Sequence, residues 1–201
     1  MASSSCPADP FEPNQVSSSI SADESLQFLE DHGFFYQANA KIGELVDELL
    51  RTGRARSDDA RLDYFKPTLR QDSRLKKILE HYPIALPRFR FPWGTTPGAY
   101  YNWDKKLDPT VDSGLVAYML GSGSRWVCLD GSHGLDEDGK LVENGTLQLS
   151  DTVLENYAKR ELRMEAGGVL LVRTRLAHQA TTGRSIMLGL LKAQAGAPRN
   201  A

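Results

Sequence analysis

The sequence predicts an α+β protein in which an N-terminal helical layer packs on a C-terminal β-barrel. Two textures lead there. Roughly the first 80 residues carry apolar side chains at helical spacing. From Pro87 onward, short apolar or alternating runs are separated by Gly, Asn and Asp, the pattern of strands in a sandwich or barrel. No linker-like stretch divides the two, so the 201 residues read as one domain over 21–201 behind a tail.

Residues 1–20 hold Ser3 to Ser5, Pro7, Pro10, Pro13 and Ser17 to Ser19. Such a stretch buries too little to offset its ordering entropy, so a disordered tail is expected. Ser21 then suits a helix cap, with Glu24 three residues on, Leu26, Phe28 and Leu29 on one face, and Gly33 as the stop. A second helix is expected over Tyr36–Leu50, with Ile42, Leu45, Val46, Leu49 and Leu50 at helical spacing. A third is expected over Ser73–His81, ended by Pro83.

Strands are expected at Leu115–Leu120, Arg125–Leu129, Leu147–Leu149, Val169–Arg173 and Ile186–Leu191. Gly121 to Ser124 lacks the Lys of a phosphate-binding loop and reads as a hairpin turn; Asn144-Gly145 suits another. Gly167-Gly168 introduces the strand that leads toward His178, and Leu154–Leu162 reads as a short helix or turn between strands.

Composition excludes several function classes. Hydrophobic content of 40% and charged content of 25% are those of a globular chain with a core. A net charge of −2 without a basic stripe argues against nucleic acid as a partner. The polar start lacks a secretory pattern, and no run approaches the ~20 apolar residues of a membrane span. Cys6 and Cys128 lie far apart, which suits a reducing, cytoplasmic setting. Asp136 to Gly139 lacks the later Glu of a calcium loop and reads as solvated. Neither a Gly-x-Ser-x-Gly elbow nor a Cys–His spacing supports nucleophilic catalysis.

One ordered set of motifs remains. It runs Tyr100-Tyr101-Asn102-Trp103-Asp104, Val116 to Leu120, Leu129-Asp130-Gly131-Ser132-His133-Gly134, Gly167 to Arg173, Leu176-Ala177-His178-Gln179, and a final apolar strand after Ser185. This order, over residues 24–194, resembles the phytanoyl-CoA dioxygenase-like branch of the Fe(II)/2-oxoglutarate-dependent oxygenases. The phrase from Phe28 to Phe35 is similar to that family's opening helix and strand. The resemblance implies a double-stranded β-helix (jelly-roll) barrel with N-terminal helices packed on it. It also implies a single iron held by two imidazoles and a carboxylate, with open positions for co-substrate and oxygen.

Two departures decide the functional expectation. Asp104 and His178 match metal ligands of the family, but Asn102 stands in the place of the first His. An amide oxygen is a weak, neutral donor, so Asp104 and His178 are vestigial candidates. The family's keto-acid-binding Arg falls at Gly189, leaving Arg184 as a weak cofactor-binding candidate that would need a bulge to reach the right wall. His133 reads as a structural residue of its turn, and His178 as a core or site-wall histidine. Asp104, without an imidazole partner, is expected either to pair with a cation such as Arg125 or Arg173 or to be solvated. Trp93, Tyr100, Tyr101 and Trp103 read as barrel packing rather than a substrate platform.

Three functions are consistent with this reading. The first is a catalytically degenerate oxygenase homologue. It would act as the accessory subunit of a heterodimer with an active paralogue, in fungal secondary metabolism such as meroterpenoid biosynthesis, with no cofactor tightly bound. The second is an active Fe(II)/2-oxoglutarate dioxygenase that hydroxylates or rearranges a small lipophilic natural product. The third is a metal-free isomerase or cyclase with His178 as base and Asp104 as its orienter.

Overall fold

The computed structural model describes residues 9–56, 61–96, 98–103, 114–134, 139–142, 146–150 and 154–192, without the side chains of residues 56 and 87–91. In chain order the elements begin with helix α1 (Ser25–His32), strand β1 (Phe34–Ala38), α2 (Ala40–Arg51), α3 (Leu62–Leu69) and α4 (Ser73–His81). The strands that follow are β2 (Ile84–Trp93), β3 (Tyr101–Trp103), β4 (Gly114–Leu120), β5 (Ser124–Leu129), β6 (Lys140–Leu141) and β7 (Thr146–Gln148). The chain closes with β8 (Lys159–Met164), β9 (Gly168–Arg173), β10 (His178–Thr182) and β11 (Ser185–Leu191).

The helices form where the periodicity places them, with instructive shifts. Ser21 and Glu24 do exchange capping bonds (Ser21 N to Glu24 Oε2, 2.9 Å; Glu24 N to Ser21 Oγ, 3.4 Å), but these close a turn and α1 begins only at Ser25. Gly33 ends α1 at φ +82°, a conformation that suits glycine. The helix expected from Tyr36 starts instead at Ala40, because Phe34 to Ala38 pair along β9 as β1. Asn39 caps it through Oδ1 to the Ile42 amide at 3.1 Å. Helix α4 matches its expected bounds, and α3, with Pro67 inside it, was not anticipated.

Two sheets enclose the main core. One runs β1-β9-β4-β11-β2 and the other β6-β7-β3-β10-β5-β8. All pairings are antiparallel. The segment read as a helix or turn, Leu154–Leu162, is helix and turn only through Tyr157 and then enters β8. Its charged residues alternate with buried Leu162 and Met164, so one face of the strand is apolar although its composition is not. Helix α2 packs on the first sheet where Gly43 meets the turn at Ala166 and Gly167; a Cβ on Gly43 would stand 2.1 Å from the Ala166 carbonyl oxygen. The turn at Gly121 to Gly123 joins β4 to β5, but it is not the hairpin expected there: the two strands lie in different sheets, so the turn carries the chain from one sheet to the other. Asn144-Gly145 and Asp136 to Asp138 lie outside the described residues.

Residues 9–20, expected within a disordered tail, are packed as a strap that stitches the two sheets together at their β1 and β8 edges. Val16 is fully buried; its amide bonds the Tyr36 carbonyl (3.0 Å), the Ala38 amide bonds the Asn14 carbonyl (2.8 Å) and the Arg163 amide bonds the Pro13 carbonyl (2.7 Å). Arg74 donates to the carbonyls of Val16 and Ser17, both at 3.0 Å. Composition misses this because the bonds are mostly made by strap backbone, which any sequence offers. No helix among the described residues is long and apolar enough to cross a membrane.

Candidate functional site

The site grows from facing strands. Tyr118 on β4 reaches across the core to His178 on β10, and the hydroxyl lies 2.9 Å from Nε2. Tyr118 is fully buried and His178 is 3% exposed. His178 Nδ1 lies 2.8 Å from the Leu176 carbonyl oxygen, which can only accept, so Nδ1 carries the proton and Nε2 is the bare acceptor. The tyrosine hydroxyl therefore donates to the nitrogen that would otherwise be free for a metal or a substrate proton.

Aromatic rings close around this pair. The Trp126 indole on β5 stacks on the imidazole (centroids 5.8 Å apart, planes 20° apart) and lies 4.6 Å from the Tyr118 ring. Trp93 on β2 lies 6.2 Å from Tyr118 and 6.0 Å from Trp103 on β3. The expectation that Trp93 and Trp103 serve packing holds for these contacts. Burial sets the proton affinities. It pulls the imidazole down to about 4, against the Leu176 carbonyl, and pushes the Tyr118 hydroxyl up, against the Trp103 indole. Cys128, the register partner of His178, is a free buried thiol held protonated by burial and then by Asp130. At neutral pH His178, Tyr118 and Cys128 are uncharged, and the imidazole is hydrogen-bonded through both of its nitrogens.

The other expected site residues are not gathered there. Tyr101 is the register partner of His178, so Tyr101 and Trp103 share its face, and alternation turns Asn102 to the opposite one. Asn102 is 3% exposed and its Nδ2 donates to the Arg175 carbonyl at 3.3 Å, beside the approach to β10. Asp104 lies outside the described residues. Of its suggested partners, Arg173 bonds Glu30 and Arg125 lies 3.3 Å from Glu165. Arg184 is exposed in the turn before β11, and its carbonyl accepts from the Gly121 amide at 2.9 Å. The pairing of β11 with β4 runs unbroken from Ser185 to Leu191; the register shift sits between Leu188 and Gly189 on the β2 side. Gly189 pairs with Val116 on the face that Tyr118 uses, so its slot points inward and bears no side chain.

His133 sits under α1. A Cβ on Gly33 would come within 2.4 Å of its Nδ1, and its proton affinity is lowered by burial and then by Arg173. It braces the α1–β1 turn rather than joining His178. Next to it, Glu30 holds Arg173 and also Lys192 at 3.1 Å, tying α1 to the ends of β9 and β11. Sequence reasoning missed Tyr118. It lies inside an apolar run, and only the pairing of both sheets places its hydroxyl opposite His178.

An iron site of the implied kind needs two imidazoles and a carboxylate on one face. The described residues do not fit it: one imidazole is present, its free nitrogen is taken by Tyr118, and the Asn102 amide faces away. Among the described residues no three His, Cys, Asp or Glu side chains gather where they could hold a metal ion.

No protein-family model matches the chain, and no curated protein matches it. Solved structures do. The epimerase SnoN in complex with Fe3+, alpha ketoglutarate and nogalamycin RO is 12% identical, with 90% of this chain and 91% of that one covered at a TM-score of 0.56. AviO1 from Streptomyces viridochromogenes Tue57 is 13% identical over 90% and 99% of the two chains, at 0.52. Apo HygX from Streptomyces hygroscopicus is 15% identical over 85% and 86%, at 0.52. SnoN is described as a non-heme alpha ketoglutarate dependent epimerase from nogalamycin biosynthesis. At these identities the likeness establishes the fold and leaves function to the site.

Proposed function

We propose that this chain is an oxygenase-type barrel that no longer grips iron and acts by association, as the accessory subunit of a heterodimer with an active homologue in secondary metabolism. The observation that carries this reading is the capped imidazole: His178 Nε2 accepts from Tyr118 at 2.9 Å inside a closed aromatic core. The bare inward slot at Gly189 agrees with it, because position 189 itself offers no guanidinium to anchor a keto acid. The strand orders β2-β11-β4-β9 and β3-β10-β5-β8, with consecutive strands alternating between sheets at both ends, support a double-stranded β-helix as the architecture. On the outer edge of the first sheet β2 exposes Ile84, and Leu141 is exposed on β6 of the second; both suit a partner surface.

The test is co-expression with an oxygenase encoded beside this chain's gene, followed by size exclusion and assay of the partner's turnover. Co-elution with a change in the partner's activity supports the reading. Elution apart, with the partner's activity unchanged, overturns it.

A second reading, an active Fe(II)/2-oxoglutarate dioxygenase acting on a small lipophilic natural product, is favoured by one observation. A structural neighbour of this chain is described in complex with Fe3+ and alpha ketoglutarate. On that reading Asp104 and His178 would hold the metal, and Tyr118 would first have to leave Nε2.

A further inference from the structure

The strap carries more than backbone bonds. Phe11 stands in a box of four groups. Its ring is stacked on Phe34 (centroids 5.4 Å, planes 17° apart), tilted against Phe28 at 5.4 Å and edge-on to His32 at 4.9 Å. The Arg160 guanidinium lies 4.2 Å from the ring centroid. That guanidinium also reaches Asp9 at 3.2 Å and Asp130 at 3.3 Å, and Asp130 in turn meets His32 Nδ1 at 2.7 Å. Two strap side chains thus present one aromatic ring and one carboxylate to groups from α1, β1, β8 and the turn after β5.

We infer that this box is a binding cleft for an aromatic carboxylate, which residues 9–17 occupy as an intramolecular plug. Every receptor group lies outside the strap, on α1, β1, β8 or the turn after β5. A planar ring satisfies the stacking surface of Phe34 and the cation above it, and a carboxylate satisfies the outer side of Arg160. The Asp130–His32 pair holds the guanidinium in place from the inner side. The strap's own carboxylate is loosely held, because Asp9 is 59% exposed and an exposed ion pair contributes little. A ligand with the same two features competes with the Asp9 and Phe11 side chains but also works against the strap's backbone bonds, so it binds the unaltered chain weakly and the cleft opens by displacement of the strap. This assignment does not depend on whether the barrel binds iron.

The probe is 3-phenylpropionate, titrated calorimetrically into the full chain and its Phe11→Ala variant. Removing the plug should tighten binding roughly tenfold or more, since apparent affinity scales with the fraction of open cleft. On the variant, neutral 3-phenylpropanamide should bind roughly tenfold more weakly than the acid, for want of the Arg160 pair. In the unaltered chain, saturating acid should also speed hydrogen exchange at the Val16, Ala38 and Arg163 amides, which the strap protects. Equal affinities of the two proteins overturn the inference. So does unchanged exchange at those amides, a readout that stands even if the variant folds poorly.

Discussion

The Tyr118 hydroxyl donates to Nε2 of His178 across 2.9 Å, with both side chains buried between the sheets. The bond joins β4 of one sheet to β10 of the other and fixes the imidazole's tautomer together with the Leu176 carbonyl. One consequence is energetic. Tyr118→Phe keeps the ring and its contact with Trp126 but leaves a buried acceptor without a donor. That should cost about 1–3 kcal/mol, read as a lower urea midpoint at pH 7 with unchanged slope. A loss well under about 0.5 kcal/mol would show that the bond contributes little.

The same pair makes stability depend on pH. Burial holds the His178 imidazole near 4 in the folded chain, whereas an unfolded histidine titrates near about 6.5. Between those values the unfolded chain binds the extra proton, so stability present above about 6.5 is lost as pH falls toward 4. At pH 5.5 the loss should be about 1 kcal/mol relative to pH 7. His133, also held low by burial and Arg173, acts in the same direction. Urea unfolding of the chain and its His178→Gln variant at both pH values separates the two. An equal pH dependence in both proteins would remove His178 as a cause.

A third expectation concerns the amide in the first-ligand slot. Asn102→His supplies a second imidazole, but the strand turns it away from His178, and Nε2 of His178 stays capped. Ferrous affinity, measured by anaerobic calorimetry, should therefore change by less than about twofold, well short of the 10–100-fold seen even for outer-sphere changes at metal sites. A gain of tenfold or more would place residue 102 beside His178.

Much of this architecture is legible in the sequence. The apolar runs of β4, β9 and β11 are legible because both of their faces are largely buried, β5 because Trp126 to Leu129 is an unbroken apolar run, and α4 because Pro83 ends its run. Strand β8 did not, since Lys159, Arg160, Glu161 and Arg163 dilute a pattern that only Leu162 and Met164 carry. The family resemblance already implies a strand at the end of the Phe28 to Phe35 phrase; the rest of β1 is read into a helix because Tyr36 and Gln37 precede a strong amphipathic run without a break. His178 was found from its place in an ordered set of motifs. Its partner Tyr118 was not, because a hydroxyl inside an apolar strand has no spacing signal and acquires its role only when two distant strands face each other.

The most direct measurement is an anaerobic titration of the unaltered chain with ferrous iron in the presence of 2-oxoglutarate, followed in the visible region and by calorimetry. With His178 Nε2 held by Tyr118 and no cation at Gly189, the chain should show neither a metal-to-keto-acid band nor saturable heat at micromolar iron. A stoichiometric band with micromolar affinity would contradict the account.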